Sequence, residues 1–194
     1  MTQSGSDKIK AEARKKAAAS RMAARQACPD AAEKLPAFAE HLITEFHPRN
    51  IAGYWPIKSE LDVFPLLSAL AIRPEVTLCL PITGTPGTAL SFHHWQLGEE
   101  LDIGPYNTRQ PFANRPELVP DLMLVPMLAY DGKLNRLGYG GGFYDRTLAS
   151  LADTGNTVSA IGVAYDDQKV DSVPTGLFDQ RLDGVLTPSG LIIG

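Results

Sequence analysis

LMLVPMLAYDGKLNRLGYGGGFYDRTLASLAD, residues 122–153, holds the pattern that decides the fold. The apolar run Leu122–Tyr130 reads as a buried strand, and Asp131-Gly132 as the turn after it. A helical pattern then runs from Tyr144 to Asp153. Between them lies Arg136–Asp145, RLGYGGGFYD, with four glycines in five positions (Gly138, Gly140, Gly141, Gly142). Glycine leaves backbone amides uncovered and permits positive φ. The helix N-terminus just beyond adds unpaired N–H groups and the positive end of a helix dipole. That combination suits an anion, above all a phosphate. Arg136 on one side can add a fork of charged donors, and Asp145 on the other a carboxylate for a metal. The spacing is neither a GxGxxG fingerprint, because Phe143 stands at its sixth position, nor a Walker GxxxxGK loop. Without further support, the stretch is equally a glycine-rich strand-to-helix turn with an acid favouring the helix start.

The flanking residues add that support. The array P-x4-D-x4-RLGxGxGxYD, from Pro126 through Asp131 to Asp145, resembles the signature of the 5-formyltetrahydrofolate cyclo-ligase family, also called methenyltetrahydrofolate synthetases. The rest of the chain can be read beside that resemblance.

The 194 residues fit a single domain, 1–194, with a substantial core, and the 44% hydrophobic and 21% charged fractions are ordinary for a soluble globular protein. No apolar run reaches the length of a membrane span, so no membrane association is expected. Cys28 and Cys79 lie far apart and fit reduced thiols of a cytoplasmic protein better than a disulfide framework. The net charge of −4 conceals an asymmetry. Residues 1–26 carry seven Lys or Arg against Asp7 and Glu12, a surplus of five, so the remainder stands at −9. The two acids and the scarcity of large aliphatic residues argue against a transit peptide. An acidic body opposes a nonspecific nucleic-acid arm, and no nucleic-acid partner is expected.

Alanine, lysine and arginine content predicts a helix over 7–27. On it, Lys10, Arg14, Arg21 and Arg25 fall at about 0°, 40°, 20° and 60°, one basic stripe. Such a stripe is usually a solvated face. Through the family resemblance, Lys10-x-x-x-Arg14 matches a pair that contacts ATP phosphates. Pro29 ends the helix and Pro36 opens the next, which runs amphipathically through His47. Ile51–Ile57 reads as a strand followed by Ser59-Glu60-Leu61-Asp62, with Asp62 placed to cap a helix over 63–72. Ligands of open α/β sheets collect beyond the carboxyl ends of strands, which gives Glu60 its interest. The resemblance assigns the matching Glu to the folate.

Val76–Ile82 and Ala89–Leu97 read as further strands. His93 and His94 are neighbours on a strand, point to opposite faces and cannot readily share an ion. Residues 101–117 read as a long loop in which Tyr106, Arg109 and Gln110 can line a pocket. Val158–Tyr165 is a strand, and two short strands, GVL and LII, close the chain. Between them lie Asp179 and Asp183. The resemblance matches Asp183 to a magnesium position, whereas Asp179 reads more simply as a cap or turn carboxylate.

Strands alternating with helices imply an α/β layered domain with a largely parallel sheet. The resemblance implies a fold like that of sugar-phosphate isomerases and CoA transferases. It also implies ATP- and magnesium-dependent cyclisation of 5-formyltetrahydrofolate to 5,10-methenyltetrahydrofolate, with release of ADP and phosphate, in a monomer or weak oligomer. Lys10, Arg14, Arg136, Gly138, Tyr139, Gly140, Gly141, Gly142, Phe143 and Tyr144 would then meet ATP. Trp55, Glu60, Tyr139, Gly142 and Phe143 would meet the folate, and Asp145 and Asp183 the Mg²⁺. No nucleophilic side chain is needed, and no Ser/His/Asp or Cys/His set is evident. Some family members carry basic residues where this chain has Tyr139 and Gly141. Two other readings are a paralogue using Mg-ATP on another small formamide-like substrate, and a non-catalytic protein binding RNA or another anion through the basic helix.

Overall fold

The computed structural model describes residues 3–194, with side-chain surroundings from Lys8 onward. Helix α1 (Gln3–Ala27) contains the expected 7–27 helix and begins before it. The next helical segment is broken into α2 (Ala31–Lys34), a 3-10 turn at Leu35–Phe38 with Pro36 in its first turn, and α3 (Ala39–Phe46). His47 ends α3 in the left-handed region, with φ 46°. Strand β1 (Asn50–Ala52) stops well short of Ile57. Beyond it Pro56 has no amide to donate, and the Tyr54 hydroxyl donates to the Leu61 carbonyl at 2.6 Å, folding the segment into a loop. Helix α4 (Phe64–Leu70) follows, and Asp62 accepts the Phe64 amide at 2.8 Å.

The remaining elements are β2 (Thr77–Ile82), β3 (Ser91–His94), a hairpin of β4 (Asp102–Ile103) and β5 (Arg109–Gln110), and β6 (Glu117–Leu118). They continue with β7 (Leu122–Pro126), β8 (Ala129–Asp131), β9 (Arg136–Leu137), α5 (Phe143–Asp153) and β10 (Ser159–Val163). The chain closes with β11 (Lys169–Val170), β12 (Gly184–Thr187) and β13 (Gly190–Ile193).

One eight-stranded sheet runs in the order β13-β12-β10-β7-β1-β2-β3-β6. The strands from β12 to β2 are mutually parallel, and β13, β3 and β6 add antiparallel edges. The expected largely parallel α/β sheet is therefore present. Successive side chains of β7 divide between its faces. Leu122 and Leu124 join Ile51, Leu80, Ile161 and the apolar faces of α2–α4 in one core. Met123 and Val125 join Ala52, Cys79, Val185 and Leu148 of α5 in the other. Both faces of the central strands are covered, which is why they read as continuous apolar runs.

The apolar run Leu122–Tyr130 is two strands rather than one. Pro126 ends the pairing of β7 with β10, and the freed carbonyls beyond it find buried side chains. Met127 O accepts from Arg21 and from Gln168, each at 2.9 Å, and Leu128 O accepts from Gln168 at 3.1 Å. Strand β8 then enters a second sheet, β11-β8-β9. Helix α1 packs on that sheet through Ala13, Ala17 and Ala18 against Leu128, Leu137 and Val173, and its alanines permit the close approach.

Asp131 fastens this second sheet. Its Oδ1 accepts the amides of Lys133 (2.9 Å) and Asn135 (3.1 Å), and its Oδ2 accepts the Val173 amide at 3.0 Å. The Asn135 side chain donates to both oxygens. Burial pushes the carboxyl upward, but these donors outweigh it and hold it below its ordinary value. Asp131→Ala should destabilise the fold by about 2–4 kcal/mol in urea unfolding, by removing a buried acceptor of several bonds. With a depressed folded-state value, the contribution is complete above the ordinary carboxylate range and is lost as pH falls through the folded value. Asp131→Asn should lack that acid-dependent component.

Candidate functional site

The carboxyl ends of β1, β2 and β7 open onto a cleft of about 780 Å³. The loop after β1 supplies Tyr54, Trp55, Lys58 and Glu60; the end of β2 supplies Pro81 and Thr83; the β4–β5 hairpin supplies Tyr106 and Arg109. The opposite wall is the glycine turn, Arg136–Asp145, and α1 crosses the end with Lys10 and Arg14.

Most of the basic stripe of α1 is turned inward, with only Arg25 at its far end exposed. Lys10 Nζ lies 2.5 Å from Asp179 Oδ2, and Arg14 Nε donates to Gly138 O at 3.1 Å. Arg21 is 2% exposed. Its Nε donates to Ser59 Oγ at 3.1 Å, Nη1 to Met127 O at 2.9 Å, and Nη2 to the Tyr139 hydroxyl. Its Nη1 also lies 3.8 Å from Glu60 Oε1. Arg25 donates to Lys58 O. The stripe thus pins the phosphate-loop candidate and the Glu60 loop to one helix.

Within the turn, Gly140 has φ 97° and Gly142, the residue before α5, φ 67°. A Cβ on Gly140 would sit 3.0 Å from the Arg14 guanidinium carbon, whereas one on Gly138 would meet nothing within 4 Å. Lys58 lies over the half-exposed Tyr139 ring, 4.7 Å from its centre, and Arg21 lies 5.2 Å from it. Cations therefore still border this turn, although the chain has Tyr139 and Gly141 in it. Phe143 meets Tyr106 edge-on at 6.3 Å. Burial pushes the Tyr144 hydroxyl well above its ordinary value, so it stays neutral.

The four carboxylates differ. Glu60 is buried, and that desolvation raises it to about 7 despite the Ile57 amide at 2.8 Å and the nearby Arg21 and Lys58 charges. Asp145 Oδ1 accepts from Arg136 Nη2 at 2.7 Å and from the Gln180 amide at 3.0 Å. Its Oδ2 accepts no hydrogen bond among the described residues. Arg136 also donates to Gln180 O at 2.5 Å, so its fork is spent on holding Asp145 and the 180 segment. Asp179 borders the cleft beside Lys10.

Asp183 does not reach the cleft. Its Oδ2 accepts the Ala160 amide at 2.8 Å, bridging β10 to the start of β12, and it borders a separate cavity beside Arg181 and Asn156. Asp179 is the turn carboxylate expected of it, its Oδ2 accepting the Gly176 amide at 2.8 Å, and it also borders the cleft; Asp183, expected at the metal, is a strand clasp instead. The other candidates, Lys10, Arg14, Trp55, Glu60, Arg136, Gly138–Gly142, Phe143, Tyr144 and Asp145, share one wall or another of the cleft. Arg21, Lys58 and Asp179 carry more of the site than the sequence reading gave them. The shared stripe with Lys10 and Arg14 was the available signal for Arg21. His93 is engaged by the Arg115 carbonyl at 2.8 Å and Ser91 at 3.2 Å, in keeping with a strand role. No group of three or more His, Cys, Asp or Glu able to hold a metal occurs among the described residues. No described helix is long and apolar enough to cross a membrane.

Fold and cleft together define an α/β protein in which a glycine turn, a helix N-terminus and the inner face of a basic helix converge on one ligand-sized space. The sequence profile of the 5-formyltetrahydrofolate cyclo-ligase family matches residues 7–188, and the chain belongs to that family. A 5-formyltetrahydrofolate cyclo-ligase of Haemophilus influenzae is 30% identical over 76% of this chain and 80% of its own. That of Escherichia coli K12 is 32% identical over 72% and 78%. The NMR structure of Aquifex aeolicus 5,10-methenyltetrahydrofolate synthetase superposes with a TM-score of 0.76 at 26% identity, covering 95% of this chain and 92% of that one. A Mycoplasma pneumoniae 5,10-methenyltetrahydrofolate synthetase shares the fold, with a TM-score of 0.70 at 24% identity over 92% and 98%.

The glycine turn makes a graded test. Gly140→Ala combines a left-handed φ with the Arg14 contact and should cost about 1–2 kcal/mol in urea unfolding. Gly138→Ala should stay within about 0.5 kcal/mol of the parent.

Proposed function

We propose that this cleft converts 5-formyltetrahydrofolate to 5,10-methenyltetrahydrofolate, consuming ATP and releasing ADP and phosphate. Family membership gives the reaction. The observation that carries its placement is the meeting of Lys10, Arg14, the glycine turn and Glu60 around one space of about 780 Å³. Such a volume lies in the range of small-molecule and nucleotide sites.

The formyl oxygen is a poor leaving group, so attack by folate N10 on the formyl carbon needs activation. Transfer of the ATP γ-phosphoryl group to that oxygen makes it a phosphate that can leave as the ring closes. The protein's contribution is alignment and charge neutralisation. Lys10, Arg14 and the amides of Gly138–Gly142 receive the phosphates, with the start of α5 behind them. Arg136 holds Asp145 in place. Trp55, Tyr139 and Phe143 give flat apolar surfaces for the pterin or adenine, and Glu60 binds polar atoms of the folate head.

The residues present fit a magnesium ion accompanying the nucleotide. Asp145 borders the cleft with one carboxylate oxygen unclaimed among the described residues, and Mg²⁺ takes one or two carboxylates together with substrate phosphates. Asp145 would hold it, with Asp179 as the nearer second candidate in place of Asp183. Bound there, the ion would neutralise phosphate charge during transfer.

Mixing protein, Mg²⁺ and 5-formyltetrahydrofolate with and without ATP tests the reading: the near-UV methenyl chromophore should grow only with ATP. Bound Mg-ATP without growth would instead assign the chain another formylated substrate. Asp145→Asn should lower kcat/KM by about a hundredfold or more. Asp183→Asn should keep turnover within about threefold while losing about 1 kcal/mol of stability. With Glu60 acting as a carboxylate, kcat/KM should fall as pH drops through about 7. Glu60→Gln should lose that limb.

A further inference from the structure

Arg21 is a 2% exposed cation, each of whose three nitrogens donates a hydrogen bond, and none of the assigned ligand contacts uses it. It lies three turns along α1 from Lys10, on the same stripe, yet its guanidinium joins three separate segments. Nε holds Ser59 Oγ beside Glu60, Nη1 holds Met127 O at the break between β7 and β8, and Nη2 holds the Tyr139 hydroxyl of the glycine turn. Glu60 Oε1 stands 3.8 Å from Nη1. Burying a guanidinium is costly unless it is hydrogen-bonded, so a planar fork held through all three of its nitrogens tolerates little displacement.

We propose that Arg21 is a positioning residue for the reaction, a buried cross-brace that hydrogen-bonds both the glycine turn and the Glu60 loop and sets their spacing across the cleft. The proposal rests on the cyclo-ligase reading of this site. It follows from connectivity: Tyr139 belongs to the glycine turn that receives the phosphates, Ser59-Glu60 to the folate side, and Arg21 bonds both. In-line phosphoryl transfer between two bound molecules depends on the distance between their sites, and small displacements are costly in rate. Arg21 also favours the ionised form of Glu60, against the burial that raises it. The titratable groups that face Glu60 are Arg21 from α1, Lys58 from its own loop, Tyr54 after β1, and Tyr139 and Tyr144 from the glycine turn and α5. Of these, Arg21 and Lys58 favour its ionised form.

The test is a double-mutant cycle on the complete enzyme, read by ATP-dependent methenyl formation with kcat and both KM values. The members are wild type, Arg21→Gln, Tyr139→Phe and the double variant. Tyr139→Phe removes only a hydroxyl from a half-exposed ring and keeps the test alive if Arg21→Gln does not fold. Tyr139→Phe should lower kcat about tenfold, Arg21→Gln at least as much because it also releases Ser59 and Met127 O, and the double no more than Arg21→Gln alone, because Tyr139→Phe only removes a bond that Arg21→Gln already cuts. Arg21→Gln should also move the acid limb of kcat/KM to higher pH, since a cation that favours ionised Glu60 is gone. Single effects that multiply, an unmoved acid limb, or a Tyr139→Phe enzyme with wild-type kcat would each overturn the proposal. An inactive wild-type protein would instead remove the cyclo-ligase reading on which it rests.

Discussion

The structure depends on burying one face of a strongly basic helix without leaving its charges unpaired. An uncompensated guanidinium inside a protein costs several kcal/mol, and breaking a buried pair costs more than forming it gains. Helix α1 meets this constraint along its length. Its alanines lie against β8 and β9, and its cations end on Asp179, on the glycine turn, on the Met127 carbonyl and on the Glu60 loop. The helix that closes the small sheet is therefore the same one that gathers the cleft. Stability and ligand chemistry draw on one set of contacts.

The two sheets divide the work. The eight-stranded sheet, buried on both faces, places the ends of β1, β2 and β7 at a common edge. The small sheet hangs from the break after Pro126, and the Asp131 clasp fixes the path into the glycine turn. A carboxylate that accepts several amides is a rigid anchor, because no single bond can be given up without leaving the others strained. The turn can then expose its amides. Gly140 and Gly142 take a left-handed φ, and the Arg14 and Arg146 guanidinium groups occupy the space a Cβ at each would need.

Much of this was legible in the sequence. Alternating helices and apolar runs gave the parallel α/β sheet, and RLGYGGGFYD gave the turn, the helix start and Asp145 together. Helical spacing gave the basic stripe, since 3.6-residue periodicity is a local property. What the stripe faces is not local: only the fold shows that Arg21 meets Met127, more than a hundred residues away. The same limit separates Asp179 from Asp183. Four residues apart in an irregular segment, they carry no periodicity to say which points toward the cleft, and the Ala160 amide decides it. The broken run at Pro126 was visible as a proline. Its consequence needed the partners Arg21 and Gln168, which satisfy the carbonyls that leave the sheet.

In the reaction proposed for the cleft, the protein aligns a phosphoryl transfer onto the formyl oxygen and supplies no nucleophile of its own. The most direct test of that transfer follows an ¹⁸O label placed in the formyl group of 5-formyltetrahydrofolate. After turnover with ATP, the label should be found in the released inorganic phosphate. Label appearing in water, with unlabelled phosphate, would contradict it.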